Sequence, residues 1–264
     1  MDLELGGRVI LVTGATRGLG RAIAGTLARE GAHLLICGRA VEAVTATTDE
    51  LAAMGARVHG IAIDVTEPGA ADRLVAATVA QFGRLDGLVA NAGGAVGDPR
   101  LAGTTDADWE ATYRWNVVQS AALIRAARPA FVAAGGGSAV LIGSVSASLP
   151  SPWAQYAAAK AAMEAVTRSL AAELGPDSIR INCVRPGSML FEGGAWERYA
   201  HAEPDAFGAF AAADFPAGHL GDPAHVADVV AFVLSPRAQW INGAVVPVDG
   251  GQRRSSPYPT GSQH

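Results

Sequence analysis

Apolar residues in this chain come in two kinds of run. Short blocks rich in Val, Ile and Leu alternate with longer Ala-rich stretches whose apolar positions recur at helical spacing. The short blocks are "RVILVT" (8–13), "HLLIC" (33–37), "RVHGIAI" (57–63), "LDGLVA" (85–90), "SAVLIG" (138–143), "IRINCV" (179–184) and "AVVPV" (244–248). They are near-continuous rather than alternating, the pattern of strands buried on both faces. Between them the periodicity predicts helices over 18–30, near 41–53, near 68–82, over 106–134 with a bend at Pro129, over 155–174 and near 223–235. Gly31 supplies a stop signal after the first helix. Strand and helix taking turns in this way predict an α/β fold: one doubly wound, Rossmann-type domain over residues 1–251, with a parallel sheet of about seven strands flanked by helices.

Two stretches break the rhythm. Residues 188–220 are rich in Gly, Phe and acids, and 252–264 read as a polar C-terminal tail. No internal linker or repeat is visible.

Composition adds limits. The chain has 264 residues, half of them apolar, and a formal net charge of −5. That length supports a large core. No basic run or stripe points to nucleic acid, and no apolar run is long enough to span a membrane. Cys37 and Cys183 both fall in strand-like runs, which predicts buried free thiols and a reducing, cytoplasmic setting. No Cys/His spacing suggests a metal.

The first chemical signal follows the first strand. "TGATRGLG" (13–20) places glycines at 14, 18 and 20 on a strand-to-helix junction. Glycine there permits a tight turn and lets the backbone approach a pyrophosphate at a helix N-terminus. Dinucleotide sites for NAD carry an acid about 20 residues further on, at the end of the second strand. That place here reads "CGR", ending in Arg39, and no acid competes with it. A guanidinium can pair with a 2′-phosphate. With Arg17 inside the glycine loop, it favours NADP(H) over NAD(H), although NAD(H) stays open. Taken singly, either arginine could be a solvated surface residue.

Taken in order, "TGATRGLG", "DV" (64–65), "NAG" (91–93), Asn116, Ser144, "YAAAK" (156–160), "RPG" (185–187) and "DGG" (249–251) resemble the short-chain dehydrogenase/reductase family over residues 6–251. The resemblance implies a catalytic set of Ser144, Tyr156, Lys160 and Asn116. Tyr156 and Lys160 lie one helical turn apart and share a face. An ammonium beside a phenol favours the phenolate and should lower its pKa from about 10. A phenol so tuned can donate a proton to a carbonyl oxygen as hydride arrives, and retrieve it in reverse. Ser144, twelve residues before Tyr156, would orient that oxygen, while Ser146 and Ser148 could share its face if the chain stays extended. Asn116 would hold a water linking the lysine to solvent.

For the cofactor, the resemblance implies contacts at Gly14, Thr16, Arg17, Gly18, Leu19, Gly20, Arg39, Asp64, Val65, Asn91, Ala92, Gly93, Tyr156, Lys160, Pro186 and Gly187. Asn91 resembles the residue that stabilises the sheet edge beside the adenosine, and Asp64 the one that meets the adenine amino group. One position departs from the pattern: Phe191 stands where the family commonly has a threonine that contacts the nicotinamide carboxamide. Ser188 or backbone groups could replace that contact.

Segment 188–220 has two readings, a flap closing on an apolar or bulky carbonyl compound or a small helical subdomain with its own core. Candidate substrate contacts are Ser146, Trp153, Phe191 and Trp196. The expected activity is NADP(H)-dependent interconversion of a ketone or aldehyde with an alcohol. The alternatives are a nucleotide-sensing protein on the same fold, or an epimerase or C=C reductase using the same cofactor. Family members imply a homotetramer (or homodimer) built partly on the helices carrying Asn116 and Tyr156.

Overall fold

The computed structural model describes residues 1–254. Seven parallel strands form one sheet: β1 (Val9–Thr13), β2 (His33–Gly38), β3 (Val58–Ala62), β4 (Gly87–Ala90), β5 (Gly137–Ile142), β6 (Ile179–Pro186) and β7 (Val245–Val248). Their order is β3-β2-β1-β4-β5-β6-β7. The helices are α1 (Gly18–Arg29), α2 (Val41–Ala53), α3 (Ala70–Phe82), α4 (Asp106–Tyr113), α5 (Gln119–Ala133), α6 (Ala154–Leu174), α7 (Ala195–Ala202), α8 (Pro204–Asp214) and α9 (Pro223–Leu234). This is the Rossmann-type, doubly wound arrangement the sequence predicts.

Strand side chains alternate between two cores, as a pleated backbone requires. Ile10 and Val12 of β1 join Leu34 and Ile36 of β2 in the core beneath α1, α2 and α9. Leu11 and Leu35 face the opposite way, into the core with Leu74 of α3, Phe131 of α5 and Met163 of α6. The four central strands β1, β2, β4 and β5 are buried almost throughout. The outermost strands are not: β3 and β7 are mostly half-exposed. Their apolar runs read like the others because the helix side is covered and only one neighbour strand is missing.

Strand order reverses between β1 and β4, and there the chains leave the sheet in opposite directions. That crevice at the carboxyl ends is where open α/β sheets bind ligands. Asn91 spans it. Its side-chain amide donates to Thr13 O at 2.9 Å and Gly14 O at 3.0 Å, and its backbone N–H donates to Thr13 Oγ1 at 3.0 Å. These bonds tie the carboxyl ends of β1 and β4 together.

The predicted 106–134 helix is interrupted, but not at Pro129, which lies inside α5. The break is a π-turn over Arg114–Val118. An extra residue in one turn rotates Asn116 inward, a device found at functional sites. Segment 188–220 carries α7 and α8 and has its own apolar cluster of Phe210, Phe215 and Leu220, with Trp196 and Phe207 packed against it. Such a cluster is what the subdomain reading requires. The predicted tail begins differently too. Gln252 is buried, donates from Nε2 to Ser188 Oγ at 3.0 Å, and accepts from the Ser188 N–H at 2.7 Å. The remainder of the predicted tail, 255–264, lies outside the described residues.

Candidate active site

The glycine loop builds one end of the site. Gly14 and Gly18 have φ of +64° and +51°, the left-handed region that favours glycine. Gly20 answers a different demand: a Cβ there would stand 2.1 Å from Gly14 O and 2.5 Å from Asn91 Nδ2. Only a bare backbone lets α1 start this close to β1. The result is a cleft of about 480 Å³ lined by the loop, by Arg39 and Asp64, by Asn91–Gly93 and by two residues the sequence did not assign here, Trp115 and Phe191. Thr16, Arg17, Leu19, Val65 and Ala92 also line it. The cradle fits a dinucleotide: the glycine loop and the N-terminus of α1 line a concave surface together with two exposed arginines, Arg17 and Arg39.

Arg17 and Arg39 are both exposed there. The Arg39 guanidinium sits over the Trp115 ring, 5.5 Å from its centroid, a cation–π contact that holds the arginine on the rim. Asp64 lies close by. Burial works to raise its pKa, but hydrogen bonds from the Thr66 N–H and hydroxyl and the charge of Arg39 outweigh burial and hold it below the usual range. Trp115 was legible in "RWNVV" only as a helix residue; the π-turn is what brings it to the cleft.

The second half of the site gathers at the end of β5. Ser144 leaves the strand extended, and its Oγ accepts from the Ser146 N–H at 3.2 Å, capping a 3₁₀ turn over Val145–Ala147. That turn ends the extended chain, so Ser146 and Ser148 do not continue the Ser144 face. Ser148 instead donates to Val145 O at 3.2 Å, the turn chemistry of a hydroxyl.

Tyr156 stands in the first turn of α6, half-buried, with the Ser144 hydroxyl hydrogen-bonded to it. Lys160 is buried one turn on, with Nζ 5.5 Å from the Tyr156 ring centroid and donating to Ile142 O at 2.7 Å. The pKa directions correct the sequence expectation. Burial raises the Tyr156 phenol, and the Ser144 hydrogen bond only partly offsets it. Burial also draws Lys160 down to about 8. For each group the loss of water outweighs the opposing neighbour, the Ser144 hydroxyl for Tyr156 and Cys183 for Lys160.

Asn116 is fully buried. Its Nδ2 donates to Thr112 O and Gly94 O, each at 2.7 Å. Its Oδ1 has no partner among the described residues. A Cβ on Gly93 would lie 2.5 Å from that oxygen and 3.4 Å from Lys160 Nζ, so Gly93 leaves the space that Asn116 and Lys160 both face. Gln155, unassigned by the sequence, is buried and fastens the loop above by donating to Val96 O at 3.1 Å and Asp98 O at 3.0 Å.

Other predicted contacts are spread over several elements. Trp196 stacks on Phe210, centroids 5.1 Å apart and planes at 3°, because α7 and α8 bury their aromatics against one another. Trp153 is half-buried at the start of α6. Pro186 closes β6, and Gly187 backs onto Asp249 and Gln252, where a Cβ would be 2.8 Å from both. Neither is in the lining of the cleft. Phe191 is in the lining, against Gly18. Cys37 and Cys183 are buried and unpaired, as expected, and burial raises them to about 12 and about 11.

A Rossmann sheet with a glycine loop at its switch point, and a serine, tyrosine and lysine together at the end of β5, define an oxidoreductase. A family model described as "Enoyl-(Acyl carrier protein) reductase" matches residues 14–253, and the chain belongs to the short-chain dehydrogenase/reductase family. Among curated relatives, the hydroxynaphthalene reductase-like protein Arp2 of Metarhizium anisopliae is 34% identical over 259 residues, covering 94% of this chain and 96% of its own. Dehydrogenase/reductase SDR family member 4 of Mus musculus is 33% identical over 250 residues, covering 94% and 88%. Among solved structures, L-sorbose reductase from Gluconobacter frateurii, complexed with NADPH and L-sorbose, superposes with a TM-score of 0.87 at 31% identity over 96% of this chain and 98% of that one. A 7α-hydroxysteroid dehydrogenase complexed with NADH and 7-oxo glycochenodeoxycholic acid gives 0.89 at 28% identity over 97% and 98%.

Proposed function

We propose that the protein is an NADP(H)-dependent oxidoreductase that interconverts a ketone or aldehyde with an alcohol. The observation that carries this reading is the convergence of Ser144, Tyr156 and Lys160, with Lys160 Nζ facing the space at Gly93, a residue that lines the cofactor cleft. When bound, the reduced nicotinamide supplies hydride to the carbonyl carbon. Ser144 holds the carbonyl oxygen, and Tyr156 delivers its phenolic proton to that oxygen, leaving the alcohol. Burial keeps Tyr156 neutral at pH 7, which is the form a donor needs. Lys160 stabilises the phenolate left behind. The partnerless Asn116 Oδ1, facing the same space, suits a water that returns a proton toward Lys160.

Arg17 and Arg39 on the rim support NADP(H). They would pair with a 2′-phosphate, and Arg39 rather than an acid follows the end of β2. Neighbours bound to NADPH and to NADH leave the preference to these residues. Trp153, half-buried at the start of α6 and three residues before Tyr156, supports an apolar or bulky substrate. The acids Glu192, Glu197, Glu203 and Asp205 disfavour an anionic carrier. Trp109, Tyr113 and Val118, exposed on α4 and the π-turn, support assembly of identical chains through that face, as a homotetramer or homodimer. Two unpaired cysteines support a reducing, cytoplasmic setting.

The test is oxidation of NADPH and NADH against a panel of ketones, aldehydes and quinones. Turnover should favour NADPH and fall by about a hundredfold or more in Tyr156→Phe, while nucleotide-induced thermal stabilisation is kept. A preference for NADH would overturn the arginine reading, and nucleotide binding without any turnover would favour a sensor.

A further inference from the structure

Phe191 occupies the place of a threonine that would contact the nicotinamide carboxamide, and a phenyl ring can make no such hydrogen bond. Its ring instead lies on the glycine loop. A Cβ on Gly18 would stand 2.7 Å from Phe191 Cε2 and 2.8 Å from Cζ, so the ring packs directly on that glycine. The ring is half-buried and belongs to the apolar cluster that includes Leu19 and Met189.

The backbone beneath it is fixed on both sides. Leu190 N donates to Gly221 O at 2.9 Å, Met189 pairs with Gly221, and Gly194 N donates to Phe191 O at 3.0 Å. Gly194 leaves room for the ring as well: a Cβ there would be 3.1 Å from Cε2. The aromatic side chain is therefore held over the loop at the entry to α7.

We infer that Phe191 is a cofactor-site residue: its ring is the apolar wall beside the glycine loop, against which the dinucleotide's pyrophosphate lies. This rests on the cofactor reading above and assigns the residue to the pyrophosphate rather than to the nicotinamide or the substrate. Excluding water on that side strengthens the attraction of the α1 amides and Arg17 for phosphate. The ring offers the nicotinamide end nothing.

Calorimetric titration of wild type and Phe191→Ala with a stepwise series of ligands decides it. The series is 2′,5′-ADP, which lacks the pyrophosphate, then 2′-phospho-ADP-ribose, then NADP⁺, with AMP, ADP-ribose and NAD⁺ in parallel. Phe191→Ala should weaken 2′-phospho-ADP-ribose and NADP⁺ by the same factor, about tenfold. It should leave 2′,5′-ADP within about twofold, below the tenfold that 1.4 kcal/mol represents. A loss confined to NADP⁺ would assign the ring to the nicotinamide end and overturn the inference. So would no loss, or tighter binding, which would make the ring an obstruction. If Phe191→Ala does not fold, Phe191→Leu is read on the same series, with a smaller loss in the same two ligands expected. Failure of every member of both series to bind wild type would overturn the cofactor reading itself, and this inference with it.

Discussion

Lys160 is an ammonium held out of water, with one carbonyl and one thioether as its near polar neighbours. Its folded pKa of about 8 lies below the ordinary 10.5. Between those values the unfolded chain binds a proton that the folded chain does not, so the lysine's contribution to stability rises with pH across that window. Below pH 8 its full penalty is felt. The melting temperature of wild type relative to Lys160→Met should therefore improve as pH goes from 8 to 10.5, read by scanning calorimetry; a constant difference would mean the lysine is not desolvated. Tyr156 works in the other sense. Its raised pKa keeps the donor form through neutral pH, so carbonyl reduction should hold from pH 6 to 8. Alcohol oxidation, which needs the phenolate, should climb with alkaline pH. Parallel pH profiles in the two directions check this, and identical profiles would count against Tyr156 as the acid/base.

Elements set the positions that these residues exploit. The turn from β1 into α1 tolerates no side chain at Gly20, where a Cβ would meet a backbone oxygen at 2.1 Å. Gly20→Ala must move the loop, at a cost of about 1–3 kcal/mol. Calorimetry should show nucleotide affinity falling by about tenfold or more for each 1.4 kcal/mol of misplacement, with thermal stability also reduced. The segment after β7 reaches back over the start of 188–220. Gln252 pairs with both the N–H and the hydroxyl of buried Ser188, and Arg254 forms an ion pair with Asp214 at the end of α8. Gln252→Ala leaves a buried N–H unpaired, worth about 1–3 kcal/mol. Amide exchange should accelerate at 188–190, with β1 and β4 unaffected. A uniform increase across the sheet would mean that Gln252 supports the whole fold rather than this segment.

At the scale of the whole molecule, the exposed apolar residues are unevenly placed. Trp109 and Tyr113 lie one turn apart on α4, Val118 follows on the π-turn, and Val132 is half-exposed on α5. Under the proposed assembly, the α4 and π-turn residues are where identical chains would meet. Val118→Glu should shift sedimentation equilibrium toward smaller species, with the monomer's helical content retained by circular dichroism. An unchanged mass would put the interface elsewhere, for instance at Trp240, which is 97% exposed near the sheet's β7 edge.

What the sequence determined by itself was whatever depends on local order. Strand blocks and helix periods follow from alternation of buried and exposed positions along the chain, so all seven strands were legible within a few residues. The glycine loop, the Tyr156–Lys160 turn and the Arg39 position were legible for the same reason, since each is a spacing along one or two elements. Only the tertiary structure decided the rest. The π-turn is invisible to periodicity because it displaces one residue in a helix that otherwise continues, and with it went Trp115 and the inward turn of Asn116. The 3₁₀ turn after Ser144, which ends the extended run before Ser146, is likewise set by the fold. Trp196 and Phe191 look alike in composition, yet one packs on Phe210 and the other on Gly18. Which partner an apolar ring finds is settled by contacts between segments distant in sequence, and burial of those contacts, not the ring's own chemistry, fixes where it goes. The Tyr156 pKa turned on the same point: a neighbouring charge is readable from spacing, but desolvation belongs to the packed molecule.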